Sequence, residues 1–166
     1  MKASDLKIRE RRDPNLIVCS TPEEYGEAQQ LIHEYADSLS VDLTHDNFDN
    51  EIDNLSNYYG PPTGLILMAK DEGDFVGVVC IRNLGDFVAE IKRMYVKPAF
   101  RGKGLGKKLL TRAISEAKGL GYRYLRLDTI PEMKSAIKLF SSIGFYEIED
   151  TGYSPYAGIR FMEYKL

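Results

Sequence analysis

The sequence has no apolar run near the roughly 18 to 20 residues that a membrane span needs. Its N-terminus, MKASDLKIRERRDPN, is charged throughout and lacks the apolar core of a secretory signal. A cytoplasmic protein with no membrane partner is therefore expected. Cysteine is scarce: Cys19 and Cys80 each sit inside an apolar run, LIVC and VVCI, which suits small buried hydrophobes better than a disulfide framework. The two histidines, His33 and His45, have no Cys or His neighbours at ligand spacing, so no metal site is expected. An excess of positive charge is also missing. The formal net charge is -3, which argues against nucleic acid as the main partner, because phosphate contacts need a basic surface. Internal repeats and low-complexity tracts are absent too. With 166 residues, 43% of them hydrophobic and 28% charged, the chain reads as one globular domain over 1–166, with 1–14 as a flexible arm.

What is present follows a clear order. Leu16 to Ser20 reads as a strand, and Thr21-Pro22-Glu23-Glu24 as an N-cap with proline at the first helical position. Tyr25, Ala28, Leu31, Ile32, Tyr35, Ala36 and Leu39 then recur at three and four residues, the stripe of an amphipathic helix. A second helix is expected from about Asp46 to Leu55. Asp37, Asp42, Asp46, Asp49, Glu51 and Asp53 fall in a stretch without Lys or Arg, read as a solvated acidic surface. Three strands follow, Leu65 to Lys70, Phe75 to Arg82 and Phe87 to Lys97, joined by compact glycine-containing turns into an antiparallel meander. In the third, Phe87, Ala89 and Ile91 alternate but the next apolar residues are Met94 and Val96. A β-bulge near Lys92-Arg93 explains this, as does a strand buried on both faces. A helix from Leu105, a strand over Tyr122 to Asp128, a helix over Met133 to Ile143 and strands at Phe145 to Glu149 and Ile159 to Leu166 complete the chain. The strand, glycine turn, helix and strand in series make a crossover that joins parallel neighbours. The fold class is α+β, a mixed and mostly antiparallel sheet flanked by helices.

The glycine turn carries the chemistry. Gly102, Gly104 and Gly106, lying between a strand and a helix, allow tight backbone folding that aims several N–H groups at one anion. The helix start adds unsatisfied donors and partial positive charge. Arg101, Lys103, Lys107, Lys108 and Arg112 crowd the same turn in an acidic chain, which suits a ligand with several phosphates. A solvated tight turn is the plain alternative. The spacing is neither G-x-G-x-x-G nor the P-loop pattern, since Lys107 fills the last glycine position of the first and Arg101 and Lys108 break the second.

The run Arg101-Gly102-Lys103-Gly104-Leu105-Gly106 does match [QR]-x-x-G-x-[GA], the signature of the GNAT superfamily of acyl-CoA-dependent N-acetyltransferases. VAEIKRMYVKPAFRGKGLGKKLLTRAISEAKGLGYRYLRL resembles that family's central motif, and AIKLFSSIGF its next one. The resemblance implies an acyl-CoA N-acyltransferase fold and acetyl-CoA as acyl donor, held by Arg101, Gly102, Lys103, Gly104, Leu105, Gly106 and Lys107. It also implies that the strand before the signature splays from the next at a bulge, where Met94, Tyr95 and Val96 bind the pantetheine arm and polarise the thioester. Pre-aimed backbone donors of that kind contribute several kcal/mol to acyl transfer.

The acceptor implied is a primary amine of a small molecule or peptide, and a homodimer is compatible with the sequence. A lysine-like amine has a pKa of about 10.4, so a base must take its proton. Glu90, on the strand where several family members carry a carboxylate, is the candidate; its plain reading is a strand glutamate paired with Lys92 or Arg93. Asp128 is the weaker candidate. Many members have Asn where this chain has Met133 and Tyr where it has Phe140. A hydroxyl from Tyr153 or Tyr156 is the substitute acid. The acidic stretch suits a cationic amine, with Tyr58, Tyr59, Tyr153 and Tyr156 as a pocket lining. The competing reading is a non-catalytic acyl-CoA-binding or regulatory module that keeps the cradle alone.

Overall fold

In the computed structural model, residues 15–43, 47–149 and 158–166 are described. The expectations for 1–14, His45, Asp46, Tyr153 and Tyr156 lie outside them. The strands β1 (Asn15–Val18), β2 (Leu65–Asp71), β3 (Asp74–Gly85), β4 (Val88–Val96), β5 (Tyr124–Thr129), β6 (Tyr146–Ile148) and β7 (Arg160–Lys165) form one sheet in the order β1-β2-β3-β4-β5-β7-β6. All neighbours are antiparallel except β4 and β5. The sheet separates two helical layers. Under one face pack α4 (Leu105–Gly119) and α5 (Lys134–Ile143), burying Leu109, Leu110 and Phe140 against Leu67, Val79, Ile91 and Leu125. On the other face lie α1 (Pro22–Ser38), α2 (Phe48–Asp53) and α3 (Leu55–Tyr59), which bury Leu31, Phe48 and Tyr59 against Ile66, Val78 and Cys80.

Local chemistry explains the starts and breaks. Thr21 caps α1 by accepting from the Glu24 N–H at 3.2 Å, and the Glu24 carboxylate accepts from the Ser20 N–H at 2.9 Å. Pro22 sits at the first helical turn, where its missing donor costs nothing. The single helix expected over 46–55 is instead two short ones, because Asn54 leaves helical geometry at φ -133 and ψ 39. Both cysteines are free and buried. Among the described residues, no helix is long and apolar enough to cross a membrane and no cluster of His, Cys, Asp and Glu could hold a metal.

The expected bulge is in β4. Cys80 faces Lys92, but Val78 faces Tyr95, so one extra residue has been inserted, and Arg93 adopts φ +56. Inserting one residue swaps the faces of everything after it. Ala89 and Ile91 therefore pack toward α4, Met94 and Val96 do so beyond the bulge, and Tyr95 turns to the α1 layer.

Candidate active site

The parallel ladder of β4 and β5 has three rungs, Val88 with Tyr124, Ala89 with Leu125 and Glu90 with Arg126. Past Glu90 the strands part. β5 continues to Thr129 against β7 and β4 to Val96 against β3, and a cleft of about 740 Å³ opens between them. Ile91 to Val96 form one wall and Leu127 to Ile130 the other. Tyr35, Leu39 and Val41 close the cleft on the α1 side, and the glycine turn does so on the α4 side.

Gly102 and Gly104 have φ of +77 and +81, where a Cβ is strained, and a Cβ on either would meet nothing within 4 Å. The need for glycine there is conformational, and it leaves open space above the backbone. Gly104 is the N-cap of α4 and offers no side-chain cap. The first helical bond runs from the Lys108 N–H to the Gly104 carbonyl at 3.1 Å, so the N–H groups of Leu105, Gly106 and Lys107 have no intrahelical acceptor. Open space, uncapped donors and a helix dipole fit a phosphate group. Arg101 ties this turn to the end of β4: its Nε donates to the Val96 carbonyl at 2.8 Å and its guanidinium lies 5.4 Å from the Tyr95 ring centre. Of the other basic residues, Arg112 is engaged by Glu116 at 2.7 Å.

The structure thus brings Met94, Tyr95, Val96, Arg101, Gly102, Gly104, Leu105, Gly106 and Lys107 into one cleft. Lys103 is exposed beside it, its Nζ 5.8 Å from the Phe100 ring centre. Glu90 does not line the cleft. Its carboxylate is taken by Arg82, one strand away at 2.6 Å, and not by Lys92 or Arg93. Asp128 does line the cleft and is exposed. Phe140 and Met133 also line it, the first buried against Phe145 with ring centres 5.7 Å apart.

Two readings of the acidic and tyrosine segments are corrected. Asp37, Asp42, Asp49 and Asp53 are exposed, but Glu51 is buried and holds Arg93 by two bonds, Nε to Oε2 at 2.8 Å and Nη2 to Oε1 at 3.1 Å. Burial alone would lower the Arg93 pKa, yet the bonds and charge of Glu51 leave it raised. Tyr58 and Tyr59 do not line the cleft; Tyr59 is fully buried, its hydroxyl lacking a well-formed hydrogen bond, and burial first, then the charges of Cys80 and Glu51, push its pKa up. Tyr35 of α1 takes the lining position, which nothing in its helical spacing distinguished from a core residue.

Comparison with known proteins agrees with this geometry. Residues 28–145 match the family described as "Acetyltransferase (GNAT) family". An uncharacterized N-acetyltransferase of Schizosaccharomyces pombe is 34% identical over 147 residues, covering 87% of this chain and 90% of the relative. An acetyltransferase of the GNAT family from Staphylococcus aureus has a similar fold, with a TM-score of 0.75 at 23% identity over 91% of this chain and 98% of that one. So does a Salmonella typhimurium protein described as an acetyltransferase and solved with its cofactor acetyl-CoA, with a TM-score of 0.64 at 20% identity over 90% and 93% of the two chains. The chain belongs to the GNAT family of acetyltransferases.

Proposed function

We propose that the whole chain is one catalytic domain that transfers the acetyl group of acetyl-CoA to a primary amine by direct attack in the cleft between β4 and β5. The observation that carries this reading is the parting of two parallel strands beside a glycine turn, which gives a passage through the sheet with a phosphate cradle at its α4 side. When bound, acetyl-CoA supplies a thioester carbonyl open to attack and a thiolate able to depart. The N–H groups at 102–107 hold its pyrophosphate, with Arg101, Lys103 and Lys107 supplying charge. Beyond Glu90 the β5-facing edge of β4 pairs with no strand among the described residues, so the backbone of Met94, Tyr95 and Val96 is available to the pantetheine arm and the thioester oxygen.

Of the two carboxylates, Asp128 is the one with direct access to the amine. Glu90, held by Arg82, is left a role relayed through water. Phe140 has no proton to give, so a hydroxyl of Tyr153 or Tyr156 is the proposed donor to the thiolate. A homodimer is not needed for the chemistry, since one chain supplies both walls. A cytoplasmic setting is part of the proposal and suits two free buried cysteines.

The test is thiol release from acetyl-CoA with polyamines, amino acids, aminoglycosides and peptide N-termini as acceptors. Turnover with one class supports the proposal. Tight acetyl-CoA binding with no turnover of any amine overturns it in favour of a non-catalytic acyl-CoA module.

A further inference from the structure

We propose that Lys92 and Asp128 form an acceptor subsite of opposed charges that takes a compound with an amine and a carboxylate on one carbon: an α-amino acid with an apolar side chain. The inference rests on the acetyltransferase reading of the same cleft.

The register sets the pair. Glu90 and Arg126 share the last rung of the parallel ladder. Side chains alternate along a strand, so two residues further on Lys92 and Asp128 come from the same sheet face, one on each wall. Lys92 still precedes the bulge, because it faces Cys80, and Cys80 belongs to the core under α1. Both residues line the cleft. They stand on the α1 side of the sheet, whereas the glycine turn opens helix α4 on the other side. Donor and acceptor therefore meet through the gap from opposite faces.

The charged neighbours of the pair on the two strands, Glu90, Arg93 and Arg126, are already matched. Glu90 is held by Arg82 at 2.6 Å, Glu51 by Arg93 at 2.8 Å, and Arg126 by Glu163 at 2.7 Å. Among the described residues, Lys92 and Asp128 form no hydrogen bond or ion pair. Lys92 is half-buried, and a cation withdrawn from water without a partner costs free energy that an anionic ligand would recover. A carboxylate at Lys92 and an ammonium at Asp128 match the two walls at once. The remaining substituent of that carbon faces Tyr35, Leu39 and Val41, an aromatic and aliphatic wall.

The same placement gives Asp128 a step. It takes one proton from the ammonium, freeing the lone pair; the nitrogen bonds to the thioester carbon as the carbon–sulfur bond breaks. The second nitrogen proton ends on the departing sulfur, and the first is released from Asp128 to water.

The test uses calorimetry with CoA present and acetyl-CoA absent, with L-leucine and L-phenylalanine as probes against their amides and decarboxylated amines. The expected result is that the acids bind at least about tenfold more tightly than the amides. Lys92→Met should bring that ratio near one, and Lys92→Arg should keep most of it. Equal binding of acids and amides by the wild type, or a Lys92→Met loss that affects both alike, overturns the subsite. Turnover of simple amines but not of amino acids overturns the subsite and leaves the acetyltransferase proposal standing. Amino-acid binding as expected with no thiol release from any amine keeps the subsite and overturns acetyl transfer. In the turnover assay, Asp128→Asn should lower the rate with L-leucine by about 10² to 10⁴ and be partly rescued at high pH.

Discussion

Glu51 and Arg93 meet in a two-point ion pair with side-chain exposures of 3% and 4%, joining helix α2 to the bulged residue of the strand that lines the cleft. Arg93 also lies over the Phe48 ring, 5.3 Å from its centre, so α2 grips the guanidinium by both edge and face.

Removing one partner of a buried pair leaves an uncompensated charge, so Glu51→Ala should cost about 3 to 5 kcal/mol of stability. Glu51→Met combined with Arg93→Met removes both charges and should recover most of that loss. Urea denaturation measures both. A Glu51→Ala cost below about 1 kcal/mol, the range of exposed pairs, would show that water reaches this pair.

Gly104→Val should abolish acetyl-CoA binding at the turn. The φ of +81 strains a β-branched residue, and its side chain would fill the open space above the uncapped helix start. A ligand at 100 times its dissociation constant adds about 2.7 kcal/mol to stability, so the wild type should show a clear melting shift with acetyl-CoA and the variant almost none. Equal shifts would move the cofactor elsewhere.

Burial, reinforced by Glu24, pushes the Cys19 thiol up to about 12, and burial with Glu51 nearby leaves Cys80 well above its ordinary value. Both thiols should therefore stay protonated in the folded chain at pH 8 and resist a disulfide reagent until guanidinium exposes them. The sign for stability follows. An unfolded thiol ionises near about 8.5, so this contribution is complete below that pH and is lost as pH climbs toward the folded value. Rapid labelling of the native protein at pH 8 would contradict the burial.

Glu90→Gln separates the two carboxylates. If Glu90 serves through water, turnover should fall by less than about tenfold with acetyl-CoA affinity unchanged, well short of the 10²-fold or greater loss expected from removing a direct base. A loss as large as that of Asp128→Asn would make Glu90 the principal base.

Tyr153→Phe or Tyr156→Phe should lower the rate without weakening acetyl-CoA binding, and Phe140→Tyr should restore part of the loss. Wild-type rates in both single variants and the double variant would mean that the thiolate departs without this help.

Much of the cleft was legible in the sequence because its information is local. Three glycines spaced two apart announce a turn, and the break from Ile91 to Met94 marks where the strand's phase slips, although the phase alone fits a bulge and a strand buried on both faces equally. Glu90 and Arg82 lie on adjoining strands in direct register, but the pairing shifts by one residue between Asn83 and Gly85, so a regular hairpin alignment carried from the turn sets Arg82 opposite Ile91 and misses the carboxylate's partner. The Glu51–Arg93 contact was hidden for a different reason. Its partners are 42 residues apart, and nothing in an acidic stretch says which member turns inward. The register of Lys92 with Asp128 was likewise out of reach, because it depends on how a helical crossover sets two parallel strands against each other.

The three-rung ladder of β4 and β5 has a mechanical meaning. To one side of it lie β1 to β4, to the other β5 to β7, so the sheet is two plates sharing a short spine. Each plate is stiffened by longer pairings, such as the six rungs between β5 and β7. Bending at the spine strains few hydrogen bonds, and a molecule wedged between the plates acts on it with the leverage of the parted strands. Amide exchange at Ala89, Glu90, Leu125 and Arg126 would therefore gauge the load on that hinge, slowing when the wedge is seated and recovering when it leaves.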